Sequence, residues 1–397
     1  MYNLLVIIVQ KLYKLIIFEL KLSGIYIHIP FCKQACFYCD FHFSTSLKKK
    51  DELVNSLIHE IELRKDELNN DVIKTIYFGG GTPSMLSQAE IDAIIAAVYK
   101  NHTVVTHPEV TLEANPDDLT EEKILELAKS RINRLSIGIQ SFLERDLKLM
   151  NRAHKAEEAK KSLSLATQHF ENISVDLIYG IPGLSNEEWK KNIENALSFG
   201  IPHISSYALT VEPKTALASF IKKGIIDDVD DEQAQEQFHI LLDELTKHNF
   251  IHYELSNFGK EGYFSKNNSS YWQGKSYLGI GPSAHSFDGK RRGWNVRNNS
   301  KYIEAIKQEK LPIEREILTI TDQYNEYIMT GLRTIWGISL EKVKNDFGTK
   351  YYDYLLLQSE KYRKEDLLYI EDEKLKTTKK GKFLSDGISA DLFKINL

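Results

Sequence analysis

Cys32, Cys36 and Cys39 stand in the run Cys32-Lys33-Gln34-Ala35-Cys36-Phe37-Tyr38-Cys39, and the 397-residue chain has no other cysteine. Thiolates are soft ligands that select zinc or iron–sulfur clusters. A loop this short can bring three of them to one centre without help from distant parts of the fold. Structural zinc takes four protein ligands and cubane clusters ordinarily take four cysteines, so a centre held by these three leaves one position open. Thiols that merely filled a core would be scattered along the chain. An odd count, with nothing marking the chain as secreted, also argues against disulfides.

The elements around this loop follow a regular pattern. From Gly24 to Thr210 short apolar runs alternate with helical stretches, which predicts βα units and a parallel sheet. Strands are expected at Gly24-Ile29, Thr75-Phe78, Val110-Glu113, Arg134-Gln140, Ser174-Tyr179 and His203-Thr210. A helix is expected over Asp51-Leu68, with Leu53, Leu57, Ile61 and Leu68 as its apolar stripe. Six such units make an incomplete (β/α)6 barrel; an open doubly wound sheet is the alternative.

Successive strand residues point to opposite faces. Ile25, Ile27, Ile29, Val110, Leu112, Leu135, Ile137, Ile139, Val175 and Leu177 form an apolar outer face. Tyr26, His28, Thr111, Glu113, Ser136, Gln140, Asp176, Ser206 and Thr210 then form a polar inner one. A barrel filled by packed branched side chains reads differently, so a polar ligand is expected inside, near the C-terminal strand ends. Gly79-Gly80-Gly81-Thr82-Pro83 follows the second strand directly, and its glycines would let the backbone approach a ligand closely.

The spacing C-x3-C-x2-C with Tyr38 before Cys39 resembles the signature of the radical S-adenosylmethionine (SAM) superfamily. The longer string Gly24-Ile-Tyr-Ile-His-Ile-Pro-Phe-Cys32 resembles the oxygen-independent coproporphyrinogen III oxidase family together with its heme-chaperone branch. The resemblance implies a radical SAM barrel in which Cys32, Cys36 and Cys39 hold a [4Fe-4S] cluster and SAM chelates the fourth iron. It also implies SAM contacts at Tyr26, Tyr38, Gly80, Gly81, Thr82, Glu113, Gln140, Arg152 and Asp176. Chemically the set is coherent: carboxylates suit an ammonium or ribose hydroxyls, Arg152 suits a carboxylate, and an amide suits adenine or ribose.

Asn267-Asn268-Ser269-Ser270-Tyr271-Trp272 resembles the HNxxYW motif of the heme chaperones, with Gly279-Ile-Gly-Pro-Ser-Ala-His285 following. The motif's histidine is Asn267 here, and asparagine is not a usual heme-iron ligand. Tyr271, Trp272 and His285 remain as heme candidates beside it, with His28 a further substitute. The oxidases resemble C-x3-C-x2-C-x-C, whereas Cys39 is followed here by Asp40-Phe41, the chaperone pattern. The expected function is therefore a heme chaperone that uses a cluster, SAM and a reductant and delivers heme to an acceptor protein. Coproporphyrinogen oxidation and SAM-dependent methyl transfer are the alternatives.

The remaining segments set the expected limits: an N-terminal extension over 1–23, the radical SAM core over 24–255, an aromatic-rich cap or heme-binding region over 256–313, and a C-terminal domain over 314–397. That last domain should be small, mainly helical and winged-helix-like, built from Tyr324-Thr334, Ser339-Phe347, Tyr351-Glu360, a β-pair at Leu368-Ile370 and Leu375-Thr377, and a last helix from Lys380. A net charge of −5 argues against nucleic acid as a partner, and the cluster Lys374, Lys376, Lys379, Lys380 and Lys382 reads as a solvated face. The apolar runs Leu4-Val9 and Leu15-Phe18 are broken by Lys11, Lys14 and Glu19, too short to span a bilayer. With no basic n-region or cleavage site, a cytoplasmic protein is expected.

Overall fold

The computed structural model describes residues 21–395. The expected strands are β1 Leu22–Ile29, β2 Val72–Gly80, β3 Val104–Ala114, β4 Arg134–Gln140, β5 Ile173–Tyr179 and β6 His203–Ala208. They pair in parallel and in sequential order, which a doubly wound sheet would not do, so the chain has the incomplete barrel. Thr210 lies beyond β6 and is exposed. The extension's residues up to 20, including the apolar runs Leu4-Val9 and Leu15-Phe18, lie outside the described residues, while Leu22 and Ser23 already belong to β1.

The crossovers carry helices α1 Lys50–Leu63, α2 Gln88–Asn101, α3 Glu121–Ala128, α4 Ala156–Ala166 and α5 Asn186–Ser198, with α6 Asp231–Lys247 after β6. Side-chain oxygens fix several starts: Ser87, Thr120, Ser185 and Asp230 each accept a backbone N–H of the first turn. The outward residues of the strands are the core, with Ile25, Ile27, Ile29, Leu112, Leu135, Ile137, Ile139, Val175 and Leu177 all at 0% exposure. At about 25 cal/mol per Å² of apolar surface, this one face supplies most of the drive to wrap helices around the sheet. Helix α1 is shorter than its apolar stripe suggests, because Arg64 turns inward and the chain reaches buried Leu68 through turns.

The barrel does not close, because both of its edges are taken. β9 Tyr277–Ile280 runs parallel to β1, and β10 His285–Phe287, β11 Arg291–Asn295 and β12 Ile313–Ile317 continue outward. On the far side β7 Ile251–Glu254 and β8 Asn257–Gly259 add an antiparallel pair to β6, giving a 12-stranded sheet. The segment read from sequence as a cap is thus woven into the main sheet, with α7 Lys266–Trp272 and α8 Asn299–Lys307 packed beside it. A buried ion pair pins this extension to α1. Arg64 Nη1 donates to Glu60 Oε1 at 2.9 Å and to the Gly279 carbonyl at 2.7 Å, while Glu60 accepts from the Gly281 N–H and from the Tyr302 hydroxyl.

The C-terminal region has its own hydrophobic cluster, built from Tyr324, Ile328, Leu332, Ile338, Leu355, Leu375 and Leu392 among others. It contains α9 Ile320–Leu332, α10 Thr349–Lys364 and α11 Ser385–Leu392. Its small sheet has three strands: the expected pair, β14 Leu368–Glu371 and β15 Lys374–Thr377, plus the two-residue β13 Ile338–Ser339. The lysine cluster is only in part a solvated face, with Lys379 and Lys380 exposed. Lys379 pairs with Asp243, Lys376 with Glu371, and Lys382 Nζ donates to His252 Nδ1 at 2.9 Å, so two of these lysines tie the region to α6 and β7. Among the described residues no helix is long and apolar enough to cross a membrane.

Candidate functional site

The cysteine loop leaves β1 at the C-terminal end of the strands and is held from several sides. Cys32 N–H donates to the Ser44 carbonyl at 3.1 Å and Phe37 N–H to the Met150 carbonyl at 3.1 Å. Asn151 Nδ2 donates to the Ala35 carbonyl at 2.7 Å, and Lys33 pairs with Asp117 and Asp118. The three thiols are free and partly buried. Thr82 Oγ1 donates to Cys32 Sγ at 3.5 Å and Arg152 Nη1 to Cys36 Sγ at 3.4 Å. Burial pushes the Cys32 thiol up, and pushes Cys39 up to about 11, so a free thiolate is disfavoured until a cation is supplied. Among the described residues no three His, Cys, Asp or Glu side chains are arranged to hold a single metal ion.

The glycine run explains itself differently from the sequence reading. A Cβ on Gly81 would lie 2.6 Å from the Phe31 carbonyl oxygen and 2.8 Å from that of Ile29; one on Gly80, where φ is +111°, would strike the His28 ring at 2.5 Å. The glycines are required by the protein's own close approach of β2 to the start of the cysteine loop. Gly81 N–H donates to the Ile29 carbonyl at 2.8 Å, which fixes that approach.

Beside the cysteines lies a polar cavity of about 100 Å³, lined by Gly81, Thr82, Glu113, Gln140, Arg152 and Asp176 with Asn115, Ser136 and Gly138. Glu113 accepts from the Tyr77 hydroxyl at 2.8 Å and from Gly80 N–H at 3.2 Å. Ser136 donates to Asp176 at 3.2 Å. Burial raises Glu113 to about 7 and Asp176 to about 6. Arg152 Nη2 donates to Asn115 Oδ1 at 2.7 Å and to the Gly138 carbonyl at 2.9 Å, Nη1 also reaches the Tyr38 hydroxyl at 3.3 Å, and its Nε is buried with no partner among the described residues. The inward hydroxyls of Thr111 and Ser206 are likewise buried and have no hydrogen-bond partner among the described residues. Tyr77 and Asn115 were not singled out from sequence, although Tyr77 shares strand parity with Gly79 and Asn115 follows Glu113 by two.

A second cavity of about 370 Å³ shares Glu113 with the first, and is lined by Tyr26, His28, Phe41, His42, Gly80, Tyr271 and His285 among others. Tyr26 bonds His28 Nδ1 at 3.1 Å, and His28 Nε2 meets the His42 carbonyl at 3.0 Å. Tyr271 and Tyr277 meet edge to face at 4.5 Å and separate this space from a third, of about 580 Å³, lined by Trp272, Tyr327 and Phe347 on the C-terminal side. Trp272 lies 5.4 Å from the Arg333 guanidinium. Asn267 is elsewhere: it is 2% exposed, accepts from Thr75 Oγ1 at 3.0 Å, and lines none of these three cavities.

A model of the radical SAM superfamily matches residues 26–206, and a model of the HemN C-terminal domain matches residues 318–384. The heme chaperone HemW of Lactococcus lactis is 33% identical over 380 residues, covering 93% of this chain and 99% of that protein. The chain belongs to the HemW family. The Bacillus subtilis heme chaperone HemW is also 33% identical, over 92% of this chain and 98% of its own, and the Escherichia coli HemW is 36% identical over 79% and 82%. In structure the chain is similar to the Escherichia coli coproporphyrinogen III oxidase HemN, a radical SAM enzyme, with a TM-score of 0.82 over 95% of this chain and 91% of that one at 22% identity. That likeness establishes the fold of this HemW family member. The radical SAM match spans β1 to β6, and so contains the cysteine loop and the whole polar cavity.

Proposed function

We propose that the protein is a heme chaperone that holds a [4Fe-4S] cluster on Cys32, Cys36 and Cys39, binds SAM in the adjoining polar cavity, and passes heme to an acceptor protein. The observation that carries this reading is the position of Glu113, which lines both the polar cavity beside the three thiols and the aromatic one. The donor set fits the group: three sulfurs come from one anchored loop, two of them receive hydrogen bonds from Thr82 and Arg152, and no fourth cysteine exists. When bound, the cluster supplies a reducible centre whose open iron SAM can chelate through its amino and carboxylate groups.

The chain's own part is to bind and orient. Arg152, with its Nε unpartnered, offers a fixed guanidinium to a carboxylate. Glu113 and Asp176 are raised carboxyls that a cationic ligand would draw into the charged form. Gln140 can give and take hydrogen bonds to an adenine or ribose edge. Phe41, 69% exposed, stands at the rim of the aromatic cavity where the resembling oxidases carry a further cysteine, which favours porphyrin contact over oxidation.

Anaerobic reconstitution followed by iron and sulfide analysis, SAM addition and heme titration of one sample tests the proposal. The expected result is one cluster per chain, a spectrum that changes with SAM, and heme retained on the protein. Cys32→Ala, Cys36→Ala and Cys39→Ala should each abolish the cluster without unfolding the barrel. Stoichiometric zinc with no iron would sink the cluster assignment, and failure to retain heme would sink the chaperone role.

A further inference from the structure

We propose that heme sits in the aromatic cavity beside Glu113 with His285 as the protein ligand to its iron, in place of the motif position that Asn267 occupies. This inference rests on the chaperone reading and specifies where that function resides. The three histidines that line the cavity are not equivalent. His28 uses both ring nitrogens, Nδ1 with the Tyr26 hydroxyl and Nε2 with the His42 carbonyl, and is 5% exposed. His42 uses Nε2 with Asn299 Oδ1 at 2.7 Å. His285 is exposed, lines the cavity, and neither of its ring nitrogens has a hydrogen-bond partner among the described residues. An iron ligand must offer a nitrogen lone pair: His28 has neither nitrogen to spare and His42 only Nδ1, whereas His285 can offer either, from an exposed ring.

The position of His285 is also built rather than accidental. Its backbone packs so closely on β9 that a Cβ on Gly279 would lie 1.9 Å from the His285 carbonyl oxygen. Gly279 and Gly281 are in turn held by the buried Arg64–Glu60 pair, through the Gly279 carbonyl and the Gly281 N–H. The imidazole lies against Trp294, with ring centroids 6.3 Å apart. A rigid backbone therefore presents a free imidazole to an aromatic space of a size that ordinarily receives organic ligands.

A cation suited to a propionate is also at hand. Arg297 donates to the Asp40 carbonyl and forms no ion pair among the described residues, and its charge is felt at both His28 and His42. Arg292, the other cation near His285, is already paired with Glu316 and Glu326. Asn267 cannot substitute, because it is buried against Thr75 outside the cavity.

The test is heme titration of the full-length reconstituted protein, followed in the Soret region, with wild type, His285→Ala, His285→Met, His42→Ala and Asn267→His. His285→Ala should weaken heme binding by about tenfold or more and remove the histidine-type spectrum. His285→Met should keep a ligand but move the band; His42→Ala should keep the histidine-type spectrum, and Asn267→His should leave both readouts near wild type. Cluster content and the SAM-induced spectral change must be unaltered in His285→Ala, which separates a lost ligand from a lost fold. Arg297→Gln should narrow the preference for heme over heme dimethyl ester. Wild-type spectrum and affinity in both His285 variants would overturn the ligand assignment while leaving the chaperone reading intact, and so would loss of ligation in His42→Ala alone. A wild-type protein that binds no heme would overturn both.

Discussion

The Arg152 guanidinium lies 3.4 Å from Cys36 Sγ while its other terminal nitrogen is bonded to Asn115 and to the Gly138 carbonyl. One planar fork thus couples the cysteine loop to β4 and to the turn after β3. Lysine carries the same charge but not the same geometry.

Arg152→Lys is therefore expected to incorporate iron and sulfide yet bind SAM about tenfold more weakly, since it keeps a point charge and loses the bidentate fork. Calorimetric titration of SAM into the reconstituted variant gives the answer. Wild-type affinity would mean that Arg152 serves only the loop and takes no part in the ligand's carboxylate.

SAM binding should strengthen as pH rises. Burial raises Glu113 from the ordinary 4.5 to about 7 in the folded protein, and the nearby Asp176 adds to the rise against the bonds from Tyr77 and Gly80. Because the folded value is raised, the neutral acid contributes stability that is fully present below about 4.5 and is lost as pH climbs through about 7. A cationic ligand stabilises the carboxylate and so gains affinity over that same span. SAM dissociation constants measured across it should fall and then level off; Glu113→Gln should bind weakly with a flatter profile. A steep profile persisting in Glu113→Gln would assign the titration to another group, Asp176 being the first to examine.

Glu60 and Arg64 are both fully buried, and each is bonded to the β9–β11 extension. Arg64 also pairs with Glu67 at 2.7 Å, so removing Glu60 leaves its charge partly compensated, and Glu60→Ala should cost about 3 kcal/mol in urea unfolding, the low end for a broken buried pair. The double variant Glu60→Ala/Arg64→Ala should cost less than the sum of the two singles. Additive losses would show that the pair contributes through its separate contacts with the backbone and not as a pair.

How much of this was legible in the chain depends on the range over which each signal acts. A strand's side chains alternate by rule, so Glu113, Ser136 and Asp176 could be placed on one inner face from their spacing, and the cavity does gather them. Gln140, which shares the parity of Ser136, is gathered there too, although it lies at a register irregularity with φ of +67°. The glycines at 80 and 81 were visible, but their reason was not, because it lies in atoms of Ile29, Phe31 and His28 brought near only by folding. The same holds for Lys382 and His252, 130 residues apart, and for Asn267, whose burial against Thr75 no local pattern announces. The short strands β9 to β12 carry too few residues for a periodic signal, so the extension of the sheet beyond β1 emerged only from the pairing.

Incubation of the reduced, SAM-loaded protein with coproporphyrinogen, with the products separated by chromatography, tests the central claim most directly. Phe41 stands where the resembling oxidases carry a cysteine, and the aromatic cavity is assigned to holding heme, so coproporphyrinogen is expected to be recovered unchanged while the same preparation retains added heme. Formation of protoporphyrinogen at a rate that depends on both SAM and reductant would contradict the chaperone account and make the protein an oxidase.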